Sequence, residues 1–384
     1  MGIKISIPKE SADNELRVAA SPESVKKLVA MDCIVTIELG AGIDATFSDA
    51  LYKDAGAKIA KSFADTVKGA DIILKVQPPN AEEIKDIPKK TLLIAMLSPF
   101  ANKSILKDCA KAKIDAFSME FVPRISRAQS MDVLSSQSNL AGYKSVLDAA
   151  EHYPHAFPMM MTAAGTISPA KVFVMGAGVA GLQAIATARR LGAVVSATDV
   201  RPAAKEQVAS LGASFIAVED DEFKNAETAG GYAKEMSPEY KAKQAELIEQ
   251  HIAKQDIIIT TALIPNRPAP KLITAAMVKS MKAGSVIVDM AVEAGGNCAG
   301  SKAGEVIVKH GVTIVGHLNI PSRLAADSSA LYAKNLLNLL NLIIDKETKK
   351  ISIDYEDEII KGVSMTRDGV VTHPNFTDKP PTDK

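Results

Sequence analysis

The residues with the most legible chemistry are three glycines and an acid. Gly176, Gly178 and Gly181 stand at G-x-G-x-x-G spacing inside KVFVMGAGVAGLQA, residues 171–184. That arrangement lets a strand turn tightly into a helix and brings backbone up to a pyrophosphate. Gly176 permits the turn, Gly178 withholds a Cβ from the phosphates, and Gly181 lets the helix pack close on the strand. The helix then offers free N–H groups and the positive end of its dipole to the anion. Asp199 lies 18 residues beyond the last glycine, near the roughly 20 expected of a carboxylate that accepts a ribose 2′-hydroxyl. An acid there repels a 2′-phosphate, so the pattern favours NAD(H) over NADP(H). Arg201, two residues on, is the opposing signal, because an arginine nearby can hold that phosphate. The plain alternative is a glycine-tightened turn with no ligand.

These residues need a frame, and the flanking pattern supplies one. Residues 172–175 are an apolar run of strand length, 182–191 a helix, and 194–198 a second strand that ends at Asp199. Strands over 214–218, 256–260, 285–289, 306–308 and 313–315 and helices over 238–253 and 272–281 continue the alternation. Thr261 and Leu263 follow the strand at 256–260, at the carboxyl edge where an open sheet binds ligands, and the glycine-rich turn at 290–297 belongs to the same edge. Residues 219–235 are too polar and glycine-rich for core and read as an exposed loop able to close over a cofactor.

The earlier part of the chain alternates in the same way. Strands are expected over 3–7, 34–39, 72–76, 92–97 and 114–118, and helices over 22–30, 49–55 and 102–112, the first with Ser21 as N-cap. Gly40 and Gly42 follow the second strand, but no third glycine or acid follows at useful spacing. Only one of the two units therefore carries a nucleotide signature. Residues 121–139, FVPRISRAQSMDVLSSQSN, are polar and lead into a helix over 140–153; such a segment belongs at a cleft between domains. Residues 155–169 suggest a hairpin arm of the kind that embraces another subunit, with the methionines at 159–161 expected as core filler. A long apolar helix spans 327–344, capped by Asp327 or Ser328, and the tail at 378–384 should fray. The fold class is α/β: two Rossmann-like doubly wound parallel-sheet domains joined by long linker helices, the second inserted in the first. The boundaries are 1–135 with 324–384 for the first and 136–323 for the second.

Composition narrows the function classes. Lys plus Arg equals Asp plus Glu at 45 each, so no global basic field draws nucleic acid. Three cysteines without framework spacing read as buried reduced thiols, and no metal site is expected. The opening IKISIP reads as a strand rather than a leader, and no apolar run approaches the roughly 20 residues of a bilayer span. The expected location is cytoplasmic.

These stretches carry a family likeness. IPKES, ELRVAASPESV, the LKV at 74–76, the glycine stretch and VDMAVEAGGN resemble the alanine dehydrogenase/transhydrogenase superfamily across nearly the whole chain. PRISRAQSMDVLSSQSNLAGY (123–143), ETAGGYAKEM (227–236) and TTALIPNRPAP (260–270) resemble its NAD(H)-binding component of proton-translocating nicotinamide nucleotide transhydrogenase. The resemblance implies a peripheral, usually dimeric piece that docks on membrane-spanning subunits at the cytoplasmic membrane and on a separate NADP(H)-binding component. It also implies roles. Arg124, Gln129 and Asp132, with Ser135 beside them, would hold the dihydronicotinamide end of NADH. Arg124 would donate to the carboxamide, Gln129 would bridge toward the partner's nucleotide, and Asp132 would orient the loop. Val179, Asp199, Val200 and Arg201 would meet the adenosine side, Gly231 and Tyr232 would belong to a mobile loop, and Leu263 would wall the cofactor.

The likeness also marks departures. Arg17 and Lys75 stand where alanine dehydrogenase binds its keto acid, but Ser98 takes the place of its catalytic histidine and Glu293 that of its aspartate. Reductive amination needs a titrating acid–base group. Hydride exchange between two nicotinamides needs position and exclusion of water. Arg17 and Lys75 are accordingly expected to be structural. The implied activity is presentation of NAD(H) for direct hydride transfer to NADP(+) on the partner. The alternatives are a free-standing alanine-type dehydrogenase and a non-catalytic NAD(H)-sensing module.

Overall fold

Apolar runs bounded by turn residues become strands, and the strands gather into two sheets and a hairpin. The computed structural model describes residues 2–224, 236–264, 267–345 and 347–377. In chain order the strands begin with β1 (Lys4–Ile7), β2 (Ile34–Glu38), β3 (Lys58–Ala60), β4 (Ile72–Leu74), β5 (Leu92–Ala95) and β6 (Asp115–Ser118). Next come β7 (Met160–Thr162), β8 (Gly165–Ile167), β9 (Lys171–Met175), β10 (Val194–Thr198), β11 (Ser214–Phe215) and β12 (Ile257–Thr260). The last are β13 (Val286–Asp289), β14 (Val306–Lys309), β15 (Val312–Val315), β16 (Ser364–Arg367) and β17 (Val370–Val371). The chain divides into two units, Met1–Gln137 with Pro321–Lys384, and Ser138–Ile320.

The first unit's sheet runs β17-β16-β6-β5-β4-β1-β2-β3. Pairings from β3 to β6 are parallel, and β16 pairs antiparallel with both β6 and β17. Winding reverses direction between β1 and β4, which makes the sheet doubly wound. Every residue of β4 and β5 is buried, as a parallel sheet covered on both faces requires. The Pro22–Ala30 helix opens with Ser21 and Ser24 in a reciprocal capping box. The Ala325–Ile343 helix buries Tyr332, Leu336, Leu339, Leu340 and Ile343 in the same core as Ile7, Val35 and Ile72.

The second unit's sheet runs β11-β10-β9-β12-β13-β15-β14, parallel except for β14. Its winding reverses between β9 and β12. Thr198, Met175, Thr260 and Asp289 form one row across it, so the segments that follow these four residues share its carboxyl edge. Strands β7 and β8 pair antiparallel as an isolated hairpin whose residues are all exposed. All three cysteines are free and buried. Burial pushes the thiols of Cys33, Cys109 and Cys298 up to about 11, 12 and 12, which leaves no thiolate nucleophile at neutral pH. Among the described residues no helix is long and apolar enough to cross a membrane.

Several expectations need correction. The helix expected from 140 begins at Val133, because Asp132 receives the Ser135 N–H at 2.9 Å and ends the loop. The methionines are not core filler: Met159, Met160 and Met161 are 60%, 43% and 77% exposed, since a two-stranded hairpin has no second layer to bury them. The helix expected over 272–281 covers only Ala275–Ser280. Leu272 and Ile273 instead donate to the Asn297 carbonyl, and Ile273 bridges in parallel with Cys298. The long C-terminal helix starts at Ala325, with Leu324 at the cap and no side-chain bond. Asp327 and Ser328 lie inside its first turn, and Ser328 Oγ donates to Pro321 O at 2.6 Å. Within 219–235, Asp221–Lys224 is a helical turn whose Phe223 is buried and stacked on Tyr240. Residues 225–235 and the tail at 378–384 lie outside the described residues.

Candidate functional site

In the second unit the glycine turn connects β9 to the Val179–Arg190 helix, at the point where the sheet's winding reverses. Each glycine answers a different constraint. Gly176 has φ +106°, and a Cβ there would lie 2.5 Å from Thr261 Oγ1. A Cβ on Gly181 would lie 1.8 Å from the Gly176 carbonyl oxygen. These two are required by backbone conformation and packing. Gly178 is required by neither: its φ is −74° and a Cβ would meet nothing within 4 Å. The space it leaves open lies at the N-cap of a 12-residue helix, and no side chain caps that end. A cradle with a spare Cβ position, helix N–H groups and a positive dipole end fits a diphosphate. Gly142, which sequence reasoning missed, brings the Val133–His152 helix against this turn; a Cβ there would lie 2.1 Å from Ala180 O.

Asp199 follows β10 and is only 7% exposed at its side chain. One carboxylate oxygen receives the Ala177 N–H at 2.7 Å, inside the glycine turn, and Arg201 Nη2 at 3.1 Å. The other receives Arg201 N and Nε, both at 2.9 Å. The acid therefore ties the turn to the end of β10, and the Arg201 guanidinium is turned onto it. Four accepted bonds fill the carboxylate's roughly four lone-pair positions, so a ribose hydroxyl reaches it by displacing an arginine contact. Val179, Val200 and Leu263 are 41%, 65% and 60% exposed at the same edge, an apolar rim for a planar base.

Thr261 follows β12 and donates to Gly176 O at 3.0 Å. Its neighbours are held by residues that periodicity does not reveal. Asn297 accepts from Ala262 N at 3.1 Å and donates to Ala262 O at 2.8 Å, and it donates to Pro270 O at 2.8 Å. Asp289, fully buried, accepts from Ala291 N, Asn297 N and Cys298 N at 3.0–3.1 Å. An acid ending a buried strand, then an asparagine after two glycines, was the available signal. Gly231 and Tyr232 lie outside the described residues.

In the first unit the polar segment forms the 3₁₀ turn Ser126–Met131 and runs into the helix. Ala128 and Met131 are buried, whereas Arg124 and Gln129 are exposed. Asp132 caps the helix, taking Ser135 N at 2.9 Å and Ser135 Oγ at 2.5 Å. Arg127 makes a two-pronged pair with Asp357 at 2.8 and 3.0 Å; the pair holds the carboxyl of Asp357 below its usual range. Asn335 and Asn338 both donate to Ser130 O, at 2.8 and 3.0 Å. None of these bracing residues was legible, because their partners lie some 200 or more positions away in the chain.

Arg17 and Lys75 are buried beyond β1 and β4. Arg17 grips Glu15 through Nε at 2.7 Å and Nη2 at 2.6 Å, and donates to Gln137 at 2.8 Å. Lys75 Nζ lies 3.4 Å from both Glu10 and Glu83. Both cations are matched by the protein's own carboxylates. Ser98 adopts φ +47° and donates its N–H to Glu120; Glu293 receives Asn319 N at 3.3 Å. Among the described residues no group of three His, Cys, Asp or Glu is placed to hold a metal.

Two family models match. The alanine dehydrogenase/PNT N-terminal domain covers residues 6–141 and the corresponding C-terminal domain residues 145–374. The first of the alpha-subunit polypeptides of NAD(P) transhydrogenase from Rhodospirillum rubrum is 56% identical over 380 residues, 98% of this chain and 99% of that protein. A crystal structure of transhydrogenase from Sinorhizobium meliloti superposes with TM-score 0.88 at 55% identity, covering 96% of this chain and 100% of that one. An L-alanine dehydrogenase structure superposes with TM-score 0.80 at 26% identity, covering 97% and 98%.

Proposed function

The chain belongs to the alanine dehydrogenase/PNT family, and we propose that it is the NAD(H)-binding alpha component of a transhydrogenase, which presents its cofactor for direct hydride transfer to NADP(+) on a partner component. The observation that carries the reading is Gly178, a glycine that neither packing nor backbone geometry demands, at the one place where a dinucleotide's phosphates would need the room. Identity of 56% to a transhydrogenase subunit along almost the full chain supports the choice within the family.

NAD(H), when bound, supplies the hydride. The chain's residues bind, orient and shield it. The Val179–Arg190 helix end and the Gly178 backbone receive the diphosphate. Asp199 takes the ribose hydroxyls, Val179, Val200 and Leu263 cover the base, and Gly231 and Tyr232 add a closing loop. Arg124 donates to the nicotinamide carboxamide, Gln129 reaches toward the partner's nucleotide, and Asp132 with Ser135 fixes the loop that carries them. No proton moves at the reacting carbons, so none of these residues has to titrate. The chain works beside membrane-spanning subunits as a peripheral member of the complex on the cytoplasmic side. It forms a homodimer through the β7–β8 arm, whose exposed Met160, Met161 and Ile167 are apolar surface seeking cover.

Titration by NADH fluorescence tests the binding half: NADH should bind at least roughly tenfold more tightly than NADPH, a difference of about 1.4 kcal/mol. Stopped-flow mixing with the NADP(H)-binding component tests the rest. NADH should reduce thio-NADP(+) only when both components are present. Brisk NADH oxidation by pyruvate and ammonia would replace this reading with an alanine-type dehydrogenase. NADH binding without exchange in the complete mixture would leave an NAD(H)-sensing module.

A further inference from the structure

We propose that Asn335, seconded by Asn338, is a positioning residue for hydride transfer: the Ala325–Ile343 helix holds the Ser130 carbonyl with these two amides and so fixes where Arg124 and Gln129 stand. The inference rests on the reading above that this loop carries the dihydronicotinamide ring. Asn335 is 7% exposed in a helix whose neighbours Leu336, Leu337, Leu339 and Leu340 are buried. An amide among leucines is costly unless its hydrogen bonds are met, and a leucine there would bury more apolar surface at no polar cost. The amide's bonds are met entirely by the loop and the start of the next helix. Nδ2 donates to Ser130 O at 2.8 Å and Oδ1 accepts from Ser136 Oγ at 2.8 Å. Asn338, one turn on, adds its own donor to the same carbonyl at 3.0 Å.

That carbonyl sits between Gln129 and Met131, two residues before the acid that caps the helix. Ala128 and Met131 pin the loop on its buried side. Arg127 and Asp357 clamp it on the exposed side. Exposed side chains at Arg124 and Gln129 thus project from a backbone held at several points. Rigid support of this kind matters where reaction depends on placing two ring carbons, because a misplacement of about 1 Å can cost about a hundredfold in rate. Neither asparagine belongs to the residues assigned to touch the cofactor, so their effect must pass through the loop.

The test uses the full chain mixed with the NADP(H)-binding component, with Asn335→Leu, Asn338→Leu and Arg124→Ala as variants. Binding of ADP-ribose, which lacks the nicotinamide, reports on the glycine cradle and on folding. Reduction of thio-NADP(+) at saturating NADH reports on placement. Asn335→Leu should keep its ADP-ribose affinity within about twofold while kcat falls roughly tenfold or more; Asn338→Leu should show a smaller fall, roughly two- to threefold. If Asn335→Leu loses ADP-ribose binding and so does not fold, Asn338→Leu alone decides, by the same criterion. Wild-type kcat in the folded asparagine variants, with Arg124→Ala impaired, overturns the bracing role and leaves the functional reading intact. Wild-type kcat in Arg124→Ala overturns both.

Discussion

Replacing Gly178 by alanine separates a glycine kept for a ligand from glycines kept for the fold. In the protein the added methyl meets nothing within 4 Å, and φ is −74°, so no clash or backbone strain arises. Two small terms oppose each other. Alanine restricts the unfolded chain and stabilises by about 0.4–1 kcal/mol; alanine at an N-cap is worse than glycine by a similar amount. The net change in stability should lie within about 1 kcal/mol, a shift of no more than about 4 °C in Tm for a unit of this size. Binding should respond far more. The methyl enters the room needed by the diphosphate, and overfilling a close-packed contact costs about 1–3 kcal/mol. NADH affinity should fall about thirtyfold for 2 kcal/mol. Gly181→Ala should do the reverse: its Cβ would lie 1.8 Å from a backbone oxygen, so the helix must move and the melting temperature should drop sharply. The assay is a thermal melt and an NADH fluorescence titration on both variants. A folded Gly178→Ala protein that binds NADH with wild-type affinity would show that the phosphates do not lie on this turn.

Other expectations follow from the remaining features. Arg17→Met strips a buried guanidinium from Glu15, which keeps the Gln77 amide at 2.8 Å. The loss should be about 3 kcal/mol, or roughly 6–12 °C in Tm, with NADH affinity unchanged; altered affinity with an unchanged melt would make Arg17 a ligand contact instead. His251 is held below its usual pKa by burial and by Lys254, beside Ser196 Oγ at 2.8 Å. The unfolded chain then takes up a proton near pH 6.5 that the folded state refuses, so this contribution is whole above pH 6.5 and lost as pH falls below it. Melts of the wild type and His251→Gln between pH 7.5 and 5.5 should converge as the pH drops. Met161→Glu, at a residue 77% exposed, should leave the melt unchanged but shift sedimentation from dimer to monomer; a variant that stays dimeric removes the hairpin from the interface.

The glycine signature was legible because its logic is local: a turn, a strand on each side and an acid at the next strand end. The same holds for the Pro22–Ala30 helix, whose Ser21 cap and apolar spacing lie within a few residues. What escaped is non-local. Polar Ser, Gln and Asn disguised the first turns of the Val133–His152 helix, and only the Asp132 cap explains its early start. Asp289 and Asn297 organise the carboxyl edge through hydrogen bonds to backbone, which no hydropathy period records. Strands as short as Lys58–Ala60 and Val370–Val371 are below the length at which alternation is distinguishable. Arg201 stood out as a rival for a 2′-phosphate, yet its guanidinium faces Asp199, a partner that spacing alone could not assign.

The first sheet takes strands β16 and β17, and the core helix beside them, from beyond residue 320, whereas the second unit is continuous in the chain. During synthesis the inserted unit is complete while its host still lacks an edge and the helix that seals its core. The host's opening strands must therefore wait on the ribosome with apolar faces uncovered, so the protein's nascent life is ordered from the inside outward.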